Sequence, residues 1–148
     1  MTITLAVIWR KGVKGEPARA LVQQYMERAS KLFRTQLVEF ASEEAFLSYV
    51  SKRATKPGFF LLKADSRGKL YSSEELSELI SDQAIRACSE FVLAIGPAEG
   101  WMSSTSIQPS HQLSFGRITL PHELAAAIAA EQIYRALCIQ MNHPYHKA

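Results

Sequence analysis

Five short apolar runs constrain the fold of this chain more than any other feature of its sequence. Each is rich in β-branched and aromatic residues and too short for a helix: ITLAVIW (3–9), TQLVEF (35–40), GFFLLKA (58–64), EFVLAIG (90–96) and QLSFGRITL (112–120). Helix-like stretches follow these runs, at 17–32 opened by Pro17, at 42–52 opened by the capping pattern SEEA, at 72–88, and at 122–141 after Pro121. The alternation predicts an α/β fold in which helices cover both faces of a largely parallel sheet.

Length and composition predict one domain over residues 1–148, large enough to bury a core without disulfide or metal support. No apolar run approaches the ~20 residues of a membrane-spanning helix. The apolar start of the chain follows no basic segment and precedes no cleavage site, so it predicts a buried first strand in a cytoplasmic protein. Cys88 and Cys138 lack metal-ligand spacing and suit small apolar fillers in a reducing compartment.

The positive charge of the chain is mild, with a net value of +3, but it is clustered. Lysine and arginine gather in WRKGVKG (9–15), SKRATK (51–56) and RGK (67–69), all in predicted loops or helix ends. Together the clusters are the electrostatic footprint that RNA binding requires, although each by itself is also typical of a solvated surface.

Two junctions between a strand and the following loop are candidates for a pocket. LAIGPAEGW (93–101) leads from a buried strand into Gly96 and Gly100, and KADSRGKLYSSEEL (63–76) is a junction of the same type, with Ser72 or Ser73 as the helix cap. Ligands of open α/β sheets gather beyond the carboxyl ends of strands, where glycines admit them to the main chain. A plain turn also explains the first junction, and neither junction contains a dinucleotide fingerprint or a P-loop.

Small residues form a stripe on the last predicted helix. Its members recur at helical spacing: Ala126, Ala129, Ala130, Ile133 and Leu137. Such a stripe permits close approach of another element, so it either packs on the sheet of the same chain or forms part of a subunit interface.

The chain closes with HPYHKA, which concentrates versatile side chains where termini usually fray. A disordered tail and a functional one both fit this composition. The spacing of His143 and His146 resembles a metal pair, but no third ligand is evident, so we predict no metal site. Ser103, Ser104 and His111 lack the G-x-S-x-G pattern of a nucleophile elbow and are set aside.

Five segments, in this order, resemble the RlmH family of SPOUT-class methyltransferases, which methylate N3 of a pseudouridine in 23S ribosomal RNA. They are RGKLYSSEELSELI (67–80), LAIGPAEG (93–100), LSFGRITLPHEL (113–124), EQIYRAL (131–137) and HPYHK (143–147). They cover about the C-terminal three-fifths of the chain. The first 55 residues share only the strand-helix-strand pattern.

The resemblance implies a C-terminal trefoil knot, a homodimer, and an enzyme that uses S-adenosylmethionine on ribosomal RNA or the assembled ribosome, with no role for DNA or a membrane. The implied cofactor-binding residues lie in three loops: Ala64, Gly96, Phe115, Gly116, Arg117, Ile118, Thr119 and Leu120. Tyr145 and His146 are the implied catalytic residues, and Arg135, His143 and Lys147 the implied RNA contacts. In this view the tail is an ordered lid over the cofactor.

Several departures from the family pattern motivate an alternative. Pro97 stands where the family usually has a second glycine, Ala64 where it usually has leucine, and Ala126 where an arginine is common, and the loop after the second strand is shortened to FASEEAF. A diverged, non-catalytic SPOUT-fold protein that binds RNA or the cofactor is therefore the second hypothesis. An unrelated α/β protein that binds a small ligand, with a disordered tail, is the third.

Overall fold

A computed structural model of the chain describes residues 1–9, 17–102 and 109–147. Most of the first basic cluster, together with Ser103 and Ser104, lies outside these ranges. In chain order the elements are β1 (Thr2–Ile8), α1 (Pro17–Ser30), β2 (Thr35–Phe40), α2 (Glu43–Ala54), β3 (Phe59–Leu70), α3 (Ser73–Ile85), β4 (Glu90–Ile95), β5 (His111–Ser114) and α4 (His122–Gln140).

The strands form one parallel sheet in the order β2-β1-β4-β3-β5. Alternate residues of β1 face opposite sides: Ile3, Leu5 and Val7 pack with α1, α3 and α4, whereas Ala6 and Ile8 pack with α2. Helices therefore cover both faces of the sheet, and the predicted α/β fold is confirmed. The trefoil knot stays a prediction.

Local signals set the starts of the helices where the sequence predicts them. Pro17 is the first residue of α1. The Ser42 hydroxyl accepts a hydrogen bond from the Ala45 amide at the start of α2. Ser72 forms a complete capping box with Glu75 at the start of α3. These contacts satisfy amide groups that have no partner within the first helical turn.

The third and fifth strands differ in length from the prediction. β3 continues to Leu70 because, after an irregularity between Ala64 and Lys69, residues 69–70 pair again with β5. Gly68 permits this, since a Cβ there would lie 2.7 Å from the backbone of Gln112 and Leu113. β5 ends at Ser114, not at residue 120. The Ser114 hydroxyl donates to the Gly116 carbonyl and accepts from the Gly116 amide, and Gly116 turns the chain with a φ of 126°. Residues 115–120 are therefore a loop.

The small-residue stripe of α4 belongs to the core of its own chain. All five members have no exposed surface, and α4 packs against β4 and β1 of the sheet as well as against α1 and α3. The core interpretation is confirmed, and the stripe gives no support to a subunit interface. Cys88 and Cys138 are free, buried thiols, as predicted. Within the described ranges, no helix is long and apolar enough to cross a membrane.

Candidate active site

A cavity of about 510 Å³ opens at the carboxyl ends of β4 and β5, beside the irregularity that follows Ala64 in β3. Small-molecule pockets typically measure about 300–1,000 Å³. The cavity brings together seven of the eight residues predicted to bind a cofactor: Ala64, Gly96, Phe115, Gly116, Ile118, Thr119 and Leu120. Arg117 is not part of the lining. Three segments that are distant in sequence thus converge at one edge of the sheet.

The loop after β4 needs Gly96 for packing and Gly100 for its backbone conformation. A Cβ on Gly96 would lie 2.7 Å from Cε2 of Trp101, so only glycine admits the indole ring there. Gly100 has a φ of 86°, and its amide donates to the Pro97 carbonyl at 2.9 Å. Pro97 thus serves as the acceptor of a tight turn, a role that needs no amide hydrogen of its own.

The irregular part of β3 after Ala64 adds a charged pair to the cavity that sequence reasoning missed. Asp65 accepts hydrogen bonds from the Arg67 backbone amide at 2.9 Å and from its guanidinium at 3.1 Å. The guanidinium holds the pKa of the Asp65 carboxyl below its usual value. The Asp65 side chain is 7% exposed and that of Arg67 is 83% exposed. The signal available in the sequence was that Asp65 directly follows Ala64.

Trp101 and His122 also line the cavity and were not among the predicted site residues. The Trp101 indole N–H donates to the Ala64 carbonyl at 2.7 Å. His122 is the first residue of α4, and its Nδ1 lies 3.4 Å from Glu123 Oε2. Both lie within quoted motifs, Trp101 at the end of LAIGPAEGW and His122 in LSFGRITLPHEL. In the part of the chain that the structure describes, no cluster of three or more histidine, cysteine or acidic side chains is arranged to hold a metal ion.

The tail is folded back onto α4 through Tyr145 and His146. Asn142 adopts a left-handed φ of 53°, and the His143 amide donates to the Cys138 carbonyl at 2.9 Å. This geometry ends the helix and reverses the chain. The Tyr145 hydroxyl then donates to Glu131 at 3.0 Å, and its ring packs edge-on against Tyr134.

The contacts of the docked tail keep the Tyr145 phenol protonated and its ring packed. Burial, hydrogen bonding and the Glu131 carboxylate raise the pKa of the Tyr145 phenol well above its usual value. The guanidinium carbon of Arg135 lies 4.7 Å from the centre of the tyrosine ring. Tyr145 is therefore a protonated donor with a packed ring, suited to positioning a group and not to accepting a proton.

The two tail histidines use their ring nitrogens in docking. His146 Nδ1 lies 3.1 Å from an Arg135 guanidinium nitrogen, and its Nε2 lies 2.7 Å from Glu74 Oε1. A guanidinium only donates, so in the neutral ring the proton is on Nε2 and points to Glu74. His143 Nδ1 accepts from the Tyr145 amide at 3.1 Å. In this arrangement both Nδ1 lone pairs are occupied.

The predicted RNA contacts are Arg135, His143 and Lys147. The guanidinium of Arg135 is 2.6 Å from Glu131 and its side chain is 24% exposed, so it is held in place by the protein. His143 and Lys147 are exposed.

The structure does not bring the tail to the cavity of its own chain. The first residues of α4 line the cavity, whereas the tail contacts Glu131 and Arg135 farther along this helix and Glu74 at the start of α3. Arg135 is ten residues beyond Ala125, which corresponds to about 15 Å of helix axis. The predicted cofactor residues and the predicted catalytic residues therefore form two separate groups within one chain.

Comparison with known proteins adds independent information. The family model described as predicted SPOUT methyltransferase matches residues 1–146. A ribosomal RNA large subunit methyltransferase H from Koribacter versatilis is 36% identical over 142 residues, covering 96% of this chain and 97% of the relative. A protein of the same name from Clostridium novyi is 32% identical over 161 residues, covering 99% and 100%. Among solved structures, a probable methylase family protein from Haemophilus influenzae Rd KW20 aligns with a TM-score of 0.56 at 12% identity, covering 99% of this chain and 70% of that one, which shows a shared fold.

Proposed function

This chain belongs to the SPOUT methyltransferase family, and we propose that it transfers a methyl group from S-adenosylmethionine to N3 of a pseudouridine in large-subunit ribosomal RNA. The observation that carries the proposal is the cavity at the strand ends, lined by seven residues of the three predicted cofactor loops. It occurs in a chain that aligns over 96% of its length with a relative named as a large-subunit ribosomal RNA methyltransferase. The proposed location is the cytoplasm, where ribosomes are found.

The lining of the cavity fits this cofactor. Ile95, Leu113 and Ile118 offer apolar surface to a purine ring, and the backbone of the glycine-containing loops can recognise its polar edge. The Ala64 carbonyl keeps a second lone pair beside the one that Trp101 uses. When bound, S-adenosylmethionine supplies an electrophilic methyl group on a positively charged sulfur.

The protein's contribution to this chemistry is mainly alignment of the substrate. N3–H of pseudouridine is a weakly acidic imide, so N3 becomes a nucleophile once it loses its proton, and holding it in line with the methyl group lowers the barrier. We assign positioning of the base to Tyr145 and proton acceptance to a ring nitrogen of His146 or His143. Because both Nδ1 atoms accept hydrogen bonds in the docked tail, the tail must loosen when the substrate binds.

We assign the active protein to a homodimer in which the tail of one chain serves the cavity of the other. The separation between cavity and tail along α4 supports this assignment, as do Leu21 of α1 and Leu124 of α4, which are 41% and 48% exposed. When each tail reaches the cavity of the other chain, both cavities receive Tyr145 and His146. Arg135, His143 and Lys147 then lie beside the bound RNA.

Methyl transfer to ribosomes tests the proposed reaction directly. Ribosomes that lack the modification are incubated with the protein and labelled S-adenosylmethionine, and the 23S RNA is digested and analysed by mass spectrometry. We expect one methyl group, located on a pseudouridine. Cofactor binding without transfer to ribosomes or free RNA would favour the non-catalytic hypothesis, and the absence of cofactor binding at high micromolar concentration would favour the unrelated α/β protein.

Mixing two inactive variants tests the shared site. Gly96→Val disables the cavity and Tyr145→Ala disables the tail, so a mixed dimer retains one cavity and one tail that are both intact. If the tail serves the partner, mixing restores activity, whereas a site built within one chain stays inactive. Light scattering of the unaltered protein must also report twice the mass of one chain, and a monomer at tens of micromolar would contradict the assignment.

A further inference from the structure

Trp101 joins two of the strands that border the cavity, β3 and β4. Its indole N–H donates to the Ala64 carbonyl, where the irregularity in β3 begins, 2.7 Å away and 37 residues earlier in the chain. The same ring occupies the space that a side chain at Gly96 would fill, at the end of β4. One side chain therefore sets the spacing between two loops that we assign to the cofactor.

The far side of Trp101 is fixed by α2, a helix that contributes no residue to the lining of the cavity. The ring of Phe46 lies 5.3 Å from the Trp101 ring, centre to centre, and Lys63 Nζ lies 4.8 Å from its centre. The next residue is held as well, because the Glu43 carboxylate accepts from the Met102 amide at 3.0 and 3.3 Å. Glu43 is buried although it is charged, and its position in the first turn of α2 is favourable for an anion.

We propose that Trp101 is a positioning residue for the cofactor and that Phe46 and Glu43 of α2 hold it in place. Helix α2 thereby influences the cofactor site without contributing a residue to its lining. The proposal rests on the proposed function, because it concerns the same cavity. The Trp101 N–H orients the Ala64 carbonyl, and the ring keeps Gly96 at the distance that the cofactor needs. Trp101 therefore governs cofactor affinity more than the rate of the bound complex.

Trp101→Phe keeps an aromatic ring at this position and removes the N–H donor, together with part of the ring volume. We expect the Kd for S-adenosylhomocysteine and the KM for S-adenosylmethionine to rise roughly tenfold, since the Ala64 carbonyl loses its partner, while kcat at saturating cofactor is unchanged. Trp101→Leu, which also removes the aromatic ring, should raise both constants further. Trp9→Phe is the matched control, because Trp9 donates to Glu39 and does not line the cavity. Its Kd and KM should be those of the unaltered protein.

The control also provides a spectroscopic test, because the chain has two tryptophans. In Trp9→Phe the fluorescence comes from Trp101 and should change on titration with S-adenosylhomocysteine. In Trp101→Phe it comes from Trp9 and should not. A stable Trp101→Phe protein with unaltered Kd and KM would overturn the proposal, whatever its melting temperature.

Variants of Glu43 provide a second test in which Trp101 itself is unchanged. Glu43→Ala should raise the Kd and KM in the same direction, and Glu43→Gln, which keeps an oxygen acceptor for the Met102 amide, should restore most of the affinity. Equal values for both variants and the unaltered protein would contradict the supporting role of α2. Failure of the unaltered protein to bind S-adenosylhomocysteine would instead count against the proposed function itself.

Discussion

The two ends of the central strands are built in opposite ways. At the amino end of β4, Glu90 accepts hydrogen bonds from Thr4 at 2.7 Å and Tyr49 at 2.8 Å and pairs with Arg53 at 3.2 Å. Burial and this carboxylate raise the pKa of Tyr49 to about 12, so the phenol stays a donor. At the carboxyl end of the same strand, Gly96 leads into an open cavity.

The difference separates stability from function along a single strand. Side chains at the amino end satisfy one another, so this region stabilises the sheet and offers little to a ligand. The carboxyl end presents backbone groups and glycines, which a cofactor can approach, and on our proposal it is completed only by a second chain. Substitutions at the two ends should therefore have separable effects.

Gly96→Val should have the largest effect on function, because it disrupts the cavity at the carboxyl end of β4. The added side chain meets the Trp101 ring, and overpacking of this kind costs up to about 3 kcal/mol in the free energy of unfolding. Displacement of the ring or of the loop should also weaken cofactor binding strongly. We expect calorimetry to show little or no heat with S-adenosylhomocysteine, while circular dichroism shows a folded protein. Ala98→Gly, which alters the same loop without adding bulk, is the control. Normal binding by Gly96→Val would contradict the assigned cavity.

Tyr145→Ala tests whether methyl transfer at the carboxyl end of β4 depends on the tail. Loss of a positioning group should lower methyl transfer roughly a hundredfold, with cofactor binding nearly intact because Tyr145 does not line the cavity of its own chain. Tyr145→Phe keeps the ring against Tyr134 and should retain more activity. Deletion of residues 143–148 should also remove most methyl transfer and leave the dimer intact. A truncated protein that methylates RNA at the full rate would identify the tail as an inert appendage.

Glu90→Ala should lower the stability contributed by the amino end of β4 and leave the cavity unchanged. It leaves the donors of Thr4 and Tyr49 without their acceptor, at a cost of about 2–3 kcal/mol in the free energy of unfolding. Urea denaturation measures this loss, and the Kd for S-adenosylhomocysteine should not change. Glu78→Ala, on the exposed surface of α3, should leave stability near that of the unaltered protein. A stable Glu90→Ala protein with weakened cofactor binding would reverse the comparison.

The sequence predicted the parts of the molecule that are determined locally. The apolar runs mark all five strands, Ser42 and Ser72 mark helix starts, and Gly96 marks the loop after β4. These features depend on periodicity and neighbouring residues. The extension of β3 was missed because it depends on pairing with β5.

Long-range side-chain partners were equally inaccessible to the sequence. The bond from Trp101 to Ala64 spans 37 residues, and the contact of His146 with Glu74 spans 72. Nothing in the residues near either group specifies its partner, because the fold alone brings them together. Asp65 and Trp101 were quoted within motifs, but their roles emerged only from these contacts.

The smallest expected effect concerns the pair at the cavity mouth, Asp65 and Arg67. Because Arg67 lowers the folded-state pKa of Asp65, the pair contributes stability above the unfolded pKa of about 3.9 and loses it as the pH falls through the lower folded value. The guanidinium is largely exposed, so solvent screens the pair and Arg67→Gln should lower the free energy of unfolding only slightly at pH 7. Urea denaturation at pH 7 and at progressively lower pH should show the difference between the two proteins shrink below about pH 4. A difference that persists when Asp65 is protonated in both states would mean that Arg67 acts through packing and not through its charge.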